Sequence, residues 1–155
     1  MIAKLLITLV PITYIAVVWV LFGIQKSISD SYYRYYKTKW KYAFTIFCWS
    51  LAYPALLLSP TPIMFAAFIL LGITGVSPAF KQDKYVKSAH MIGAYGGVLF
   101  SQLSISLDHN MFWQITAPFV VISVLLLLVR KKLKYNHIWF IEILSILSIY
   151  ITLLT

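Results

Sequence analysis

Long apolar runs alternate with short polar links along the whole chain. Each run is close to the roughly 20 residues that an α-helix needs to cross the hydrocarbon core of a bilayer. The pattern predicts an all-α fold, a bundle of six transmembrane helices that forms a single domain over residues 1–155. The predicted spans are residues 5–24, 42–58, 63–76, 88–107, 112–129 and 138–154.

The first apolar run follows Lys4, so it also has the outline of a secretory signal peptide. The run is long enough to span a bilayer, however, and no small-x-small cleavage motif follows it. We therefore expect a retained first helix, in which Pro11 introduces a kink.

The second and fourth links are short and contain no Lys or Arg. Residues 59–62 form a proline-rich turn, where Pro60 interrupts helical continuity and Pro62 suits the first turn of the next helix. Residues 108–110 form a polar turn. Links this short predict that the helices on either side are antiparallel hairpins.

Composition excludes a water-soluble fold and changes the meaning of the charge. The chain is 61% hydrophobic and only 11% charged, with a mean hydropathy of +0.86, whereas soluble domains have about 25% charged residues. A net charge of +9 would indicate nucleic acid as a partner in a soluble protein. Here the charge flanks apolar spans, so we expect no nucleic acid and instead membrane lipids, including anionic headgroups.

The basic residues alternate with the spans. All of them except Lys4 lie in residues 26–41, 81–87 and 130–134, which are the first, third and fifth links. Basic links face the cytoplasm in membrane proteins. The alternation therefore predicts a multi-pass protein with both termini outside the cytoplasm.

The first link, residues 25–42, combines lysines with five tyrosines and Trp40. This composition is typical of an aromatic and basic belt at a membrane surface. A single-stranded nucleic-acid patch also interleaves such residues, but a position between two spans favours the belt. Ser29 or Asp30 is a candidate cap for a short helix in this link.

The fourth span has a face of small and polar residues. They recur at intervals of three and four, which places them on one side of a helix, and Gly93 and Gly97 have the GxxxG spacing that lets two helix backbones approach closely. We interpret the face as a packing seam inside the monomer, with a homo-oligomer or a partner membrane protein as the alternative. Its members are His90, Gly93, Gly97, Ser101, Ser104 and Asp108.

The predicted topology brings several titratable residues to the cytoplasmic ends of the spans. Glu142 lies about one turn inside the last span, where a carboxylate should face the bundle and find a partner. We expect Asp30 to pair with His90, either as a polar clasp or as a catalytic or metal site. The full candidate cluster is Asp30, Asp83, His90, His137 and Glu142.

Neither a metal nor a cofactor is expected. The three histidines do not form a His-x-x-x-His pair, and structural or catalytic metal ions need three or four converging ligands. The sequence also contains no nucleophile elbow, phosphate loop or dinucleotide-binding glycine pattern.

Two short motifs carry a family resemblance. Ser27-Ile28-Ser29-Asp30 follows the first span, and residues 88–94 place His90 before a Gly-Ala pair in the fourth. With the six-span layout, these resemble the DRAM/FRAG/Sfk-type membrane proteins and related bacterial membrane families. The resemblance implies a role in lipid and membrane homeostasis without an established enzymatic chemistry.

The sequence therefore favours a non-enzymatic integral membrane protein that acts as a lipid-interacting or partner-binding scaffold or regulator. A small transporter or channel is one alternative, with Glu142, His90, Ser101 and Ser104 along a polar path. An intramembrane lipid hydrolase or transferase, with its site at the cytoplasmic helix ends, is the other.

Overall fold

The computed structural model describes residues 2–58, 61–133 and 136–154, with side chains from Leu9 onward. Within these ranges the chain is helical and contains no strand, which confirms the all-α prediction. Ser59 and Pro60 of the predicted turn, and Lys134 of the last basic link, lie outside the described residues.

Seven α-helices follow one another, and short helical turns lie between some of them. A 3-10 turn, Ser29–Ser31, precedes the short α2, and a π-helical turn, Phe112–Thr116, leads into α6. The helices are α1 Ile2–Phe22, α2 Tyr32–Tyr35, α3 Ala43–Leu58, α4 Pro62–Val76, α5 Lys84–Leu107, α6 Ala117–Leu128 and α7 His137–Leu154.

Local residues set several helix ends. Thr61 caps α4 by accepting the N–H of Met64 at 3.2 Å, with Pro62 in the first turn. Gly23 ends α1 with φ +71°, a left-handed conformation that glycine adopts without strain. Asp83 begins α5 at Lys84, four residues before the apolar run that predicted a start at residue 88.

We predict that Asp83→Ala lowers the free energy of unfolding by about 0.5–2 kcal/mol. The Asp83 carboxylate accepts the N–H groups of Tyr85 at 2.7 Å and Val86 at 3.0 Å, and both are left without an acceptor in the variant. Denaturant unfolding of the purified chain measures the change. Asp83→Asn, which retains a capping oxygen, should be close to wild type, and equal losses in the two variants would contradict the cap.

The centre of the fold is the packing of α4 against α5 and of α3 against α1 and α4. Glycines allow the closest approaches: a Cβ on Gly93 would lie 2.6 Å from the carbonyl oxygen of Leu70, and one on Gly75 would lie 2.7 Å from the Cβ of Cys48. The Thr45 hydroxyl donates to the Gly75 carbonyl at 2.8 Å across the α3–α4 contact. The small-residue face of α5 therefore lies against α4 of the same chain.

Many large apolar side chains are exposed on the outside of the bundle, and several small polar ones lie inside with the apolar core. Val20, Trp113 and Leu128 are 81%, 79% and 74% exposed, whereas Ser101 and Ser104 have no exposure. In α6 only Phe119 is buried. A solvent-facing surface of this kind is unusual for a protein that folds in water.

The helices differ in length, and the shortest of the long apolar ones fall below the thickness of a bilayer core. In the described part of the chain α7 is the one helix long and apolar enough to cross a membrane, judged by length and composition. α3 and α4 have 16 and 15 residues, so at 1.5 Å per residue they measure about 24 and 22 Å, below a core of about 30 Å. The shorter apolar helical stretches are Leu9–Phe22, Ala43–Leu58, Pro62–Val76 and Phe112–Leu128.

The described links separate by charge between the two ends of the bundle. At one end, called the basic end below, the Lys26 carbonyl accepts the N–H of Trp139 at the start of α7, at 3.2 Å. At the same end, Lys81 of the third link forms an ion pair with Asp30 of the first. At the opposite end, Thr61 and Ser104 join the second link to the end of α5, with 3.1 Å between their hydroxyl oxygens.

Candidate functional site

The first link, which spans residues 23–42 in the structure, folds into the bundle instead of lying across its end. Ser31 has no exposure, and its hydroxyl oxygen lies 2.5 Å from that of Tyr14. Tyr14 precedes the end of α1 at Phe22 by about 12 Å along the helix axis at 1.5 Å per residue. Residues 28–35 therefore pack alongside the second half of α1, and Tyr35 is buried there.

The inward position of the link divides the predicted aromatic belt. Tyr32 and Tyr35 are each only 8% exposed and belong to the core, whereas Trp40 and Tyr42 are 60% and 62% exposed. Only the second half of the link, from Tyr36 to Tyr42, has the exposed aromatic and basic character that the sequence predicts. The two adjacent tyrosine pairs, residues 32–33 and 35–36, gave no signal of which rings are buried.

Glu142 connects the link to α7. Its carboxylate accepts the backbone N–H of Ile28, and Ile28 is itself 3% exposed. Among the described residues, no lysine, arginine or histidine forms an ion pair with Glu142. The side-chain carboxyl oxygen thus satisfies a buried amide that has left regular helical structure, which is a structural role for Glu142.

Glu142 also borders an internal cavity of about 80 Å³ between the link, α3, α4, α5 and α7. Four residues with hydroxyl groups line its wall, and most other wall residues are apolar: Ser29, Thr74, Ser101 and Ser145. A cavity of this size has room for a few water molecules. It is far smaller than the 300–1,000 Å³ typical of pockets for organic ligands.

Asp30 pairs with Lys81. The ammonium group of Lys81 also lies 4.6 Å from the centre of the Tyr33 ring, a cation–π distance. The backbone N–H of Lys81 donates to the Tyr33 hydroxyl at 2.5 Å. These contacts hold the first link against the third link.

His90 lies next to this group but does not form the predicted pair with Asp30. It is 2% exposed, with its Nδ1 2.9 Å from the Ser77 carbonyl oxygen and its ring stacked on Phe80 at 4.3 Å. Because the carbonyl can only accept, Nδ1 carries the proton in this hydrogen bond. The direct Asp30–His90 contact was wrong because Lys81 and Ser77 are the nearer partners of the two side chains.

The other two members of the predicted cluster, Asp83 and His137, take no part in these contacts. Asp83 is exposed and caps α5. His137 is the first residue of α7, and its Nδ1 is buried with no hydrogen-bond partner among the described residues. Within the same residues, no group of three or more His, Cys, Asp or Glu side chains has an arrangement that could hold a metal ion.

A polar chain closes the opposite end of the bundle. The Ser104 hydroxyl donates to the Asp108 carboxylate at 2.5 Å and lies within hydrogen-bonding distance of Thr61. These hydroxyl groups lower the pKa of the exposed Asp108 carboxyl. The sequence places Ser104 and Asp108 on the polar face of the fourth span, whereas it predicts only a turn at Thr61.

Gln102 is a buried polar residue that the apolar pattern of the fourth span does not predict. It is 6% exposed, and in the part of the chain that the structure describes neither amide atom of its side chain has a hydrogen-bond partner. The Thr116 hydroxyl in the π-helical turn donates to its backbone carbonyl at 3.3 Å. A single Gln within an apolar run was the available signal.

An open groove lies on the outside of the bundle between α1 and α3. Its volume is about 520 Å³. Lys39, Trp40 and Tyr42 form the part contributed by the first link. We call it the α1–α3 groove; its helical walls consist of Leu9, Val10, Thr13 and Tyr14 from α1 and Ala43, Ile46 and Phe47 from α3.

Comparison with known proteins identifies no relative. No protein-family model, curated protein or solved structure matches the chain. The chain is therefore assigned to no family, and the resemblance carried by residues 27–30 and 88–94 stays a prediction.

Proposed function

We propose that the chain is a multi-pass membrane protein in which six helices cross the bilayer, with the basic end in the cytoplasm and both termini outside. Two observations support this topology: many large apolar side chains are exposed on the outside of the bundle, and the basic links come together at one end. The short α3 and α4 require local thinning of the bilayer, which costs a fraction of a kcal/mol per Å.

Single-cysteine labelling tests the topology. In a Cys48→Ser background, we expect His109→Cys to react with a membrane-impermeant maleimide on intact cells, because the second and fourth links face outward. Lys131→Cys should react only after the cells are lysed. Labelling with the opposite sidedness, or equal labelling of both positions on intact cells, would show that the proposed orientation is incorrect.

We further propose that the protein is a non-enzymatic, lipid-interacting scaffold or regulator. The observation that carries this proposal is that the candidate catalytic groups already have structural partners. Glu142 accepts the Ile28 amide, Asp30 pairs with Lys81, and His90 is bonded to Ser77. The exposed lysines of the basic end remain available to anionic headgroups, at about 1 kcal/mol per basic residue near the surface.

Variants of the polar contacts between the first and third links test the non-enzymatic role. We expect Asp30→Asn and His90→Ala each to lower the unfolding temperature, and the double variant to show non-additive loss through Phe80 and Lys81. Thermal unfolding of purified protein in detergent measures both effects. Full folding of both single variants, combined with lost turnover of a defined lipid, would favour the hydrolase or transferase alternative.

Lipid interaction is tested separately in nanodiscs. We expect the full chain to unfold at a higher temperature in phosphatidylglycerol discs than in phosphatidylcholine discs, because bound anionic lipid stabilises the native state. The difference should fall as salt is raised. Equal unfolding temperatures in both lipids at low salt would count against the lipid-interacting role.

A small transporter or channel is a second candidate, favoured by the carboxylate and hydroxyl groups around the internal cavity. Proton flux into liposomes containing purified protein, abolished in Glu142→Gln, would support this alternative over the scaffold. The scaffold proposal predicts no flux above that of protein-free liposomes.

A further inference from the structure

We propose that the α1–α3 groove is a specific binding site for one anionic phospholipid. One acyl chain lies along the apolar walls, and Lys39 holds the phosphate at the rim. This inference rests on the proposed membrane location and names the class of lipid and the site that binds it.

The groove has the size and chemistry for an acyl chain. Its volume of about 520 Å³ falls within the range typical of pockets for organic ligands, unlike the small internal cavity. Its helical walls are mostly apolar, and the hydroxyl of Tyr14 is engaged by Ser31. Apart from Thr13, the helical walls therefore offer no free side-chain polar group, which suits a hydrocarbon chain.

The polar end of the groove is positive. Lys39 is part of its rim, and Lys41 lies two residues further along. The ammonium group of Lys39 lies 5.7 Å from the centre of the Trp40 ring, and that of Lys41 lies 5.0 Å from the centre of the Tyr42 ring. Lysine stems and aromatic rings in this combination are typical of the level of lipid headgroups.

No negative charge of the protein competes for this site. The chain contains four carboxylate side chains, and none of them lines the groove. In the part of the chain with described side chains, Lys39 and Lys41 form no ion pair; the ion pair found there joins Lys81 to Asp30. The rim therefore complements a net-negative headgroup, and a zwitterionic headgroup would gain less from it.

The gradation of polarity identifies an amphiphile as the occupant. Cations and amphipathic rings lie where the first link meets α3, and the lining from Leu9, Val10 and Ile46 is apolar. A phospholipid has one charged end and a flexible hydrocarbon chain, which matches this arrangement. A second copy of the chain would bring its own lysines to the same rim and add repulsion.

Native mass spectrometry of the full chain, released from nanodiscs of equal phosphatidylglycerol and phosphatidylcholine, tests the site. We expect wild type to retain one phosphatidylglycerol in preference to phosphatidylcholine. Lys39→Gln should reduce this retention about fivefold, the equivalent of about 1 kcal/mol for one basic contact. Thr13→Phe should abolish it by filling the groove.

Matched variants separate the groove from general effects of charge and bulk. Lys131→Gln removes a cation from a different link, and Val17→Phe adds a ring one turn along α1 at a position that is exposed and outside the groove. Both should retain lipid like wild type. If Thr13→Phe fails to fold, Lys39→Gln still tests the lipid site, because Lys39 is exposed and its replacement should leave the fold intact.

The possible results distinguish failure of the proposed lipid site from failure of the lipid-interacting function. Lipid retention unchanged in Lys39→Gln and Thr13→Phe, or reduced equally in the matched variants, would overturn the site while leaving the stabilisation by anionic discs intact. A wild-type protein with no preference for phosphatidylglycerol in either assay would overturn both the site and the lipid-interacting function.

Discussion

Gly93→Ala should lower the free energy of unfolding by about 1–3 kcal/mol, whereas Gly97→Ala, one turn later in α5, should be neutral or stabilising. A Cβ on Gly93 would lie 2.6 Å from the Leu70 carbonyl oxygen and 2.9 Å from the Thr74 backbone nitrogen. These are backbone atoms of α4, so one of the two helices must move. At Gly97 the nearest atom, the Ala67 carbonyl oxygen, is 3.4 Å away.

The difference between the two changes in the free energy of unfolding isolates the contact between α4 and α5. Both changes replace a helical glycine by alanine, so both gain a similar helix propensity of up to about 1 kcal/mol. Their difference therefore measures the helix contact alone. Equilibrium unfolding of the two variants in mixed micelles gives both values, and equal stability would mean that α4 and α5 are further apart at Gly93 than described.

Glu142→Met should be less stable than Glu142→Gln by about 1–3 kcal/mol, the cost of leaving a buried donor without an acceptor. Both variants replace the carboxyl group, so the cost of burying that group cancels between them. Gln keeps an oxygen that can accept the Ile28 N–H, whereas Met has a similar length and only a weakly accepting sulfur.

The same unfolding assay measures this pair, with hydrogen exchange at the Ile28 amide as a local readout. We expect faster exchange in Glu142→Met than in Glu142→Gln, because the amide loses its acceptor. Indistinguishable stability and exchange in the two variants would show that the Ile28 amide does not depend on the side chain at position 142.

The helices of the bundle could be predicted because apolar runs and their interruptions are local properties. The predicted spans 42–58 and 63–76 correspond to α3 and α4 to within a residue at either end. The start of α5 was placed too late because hydropathy does not register a capping side chain. Asp83 begins the helix among lysines, where no apolar pattern exists.

The contacts of the candidate site were harder to predict from the sequence, because they join segments that are far apart in the chain. The sequence predicts that Asp30, His90 and Glu142 lie near one end of the bundle. In the structure Glu142 accepts the Ile28 amide of the first link, and Asp30 of that link pairs with Lys81. His90 is hydrogen-bonded to Ser77 instead. The sequence does not reveal the partners of these side chains. Only the folded geometry places Lys81 next to Asp30 and the Ser77 carbonyl next to His90. The burial of the first link depends on an acceptor 114 residues away.

That long-range hydrogen bond has a consequence for the order of assembly. The first link is synthesised early, but the carboxylate that accepts its Ile28 amide, and the Trp139 N–H that donates to Lys26, belong to the last helix. Until α7 has been made and packed against the first link, residues 26–28 lack these partners. The first link of the nascent chain therefore reaches its native contacts only after α7 is complete, and the packing of α7 is the step that closes the bundle.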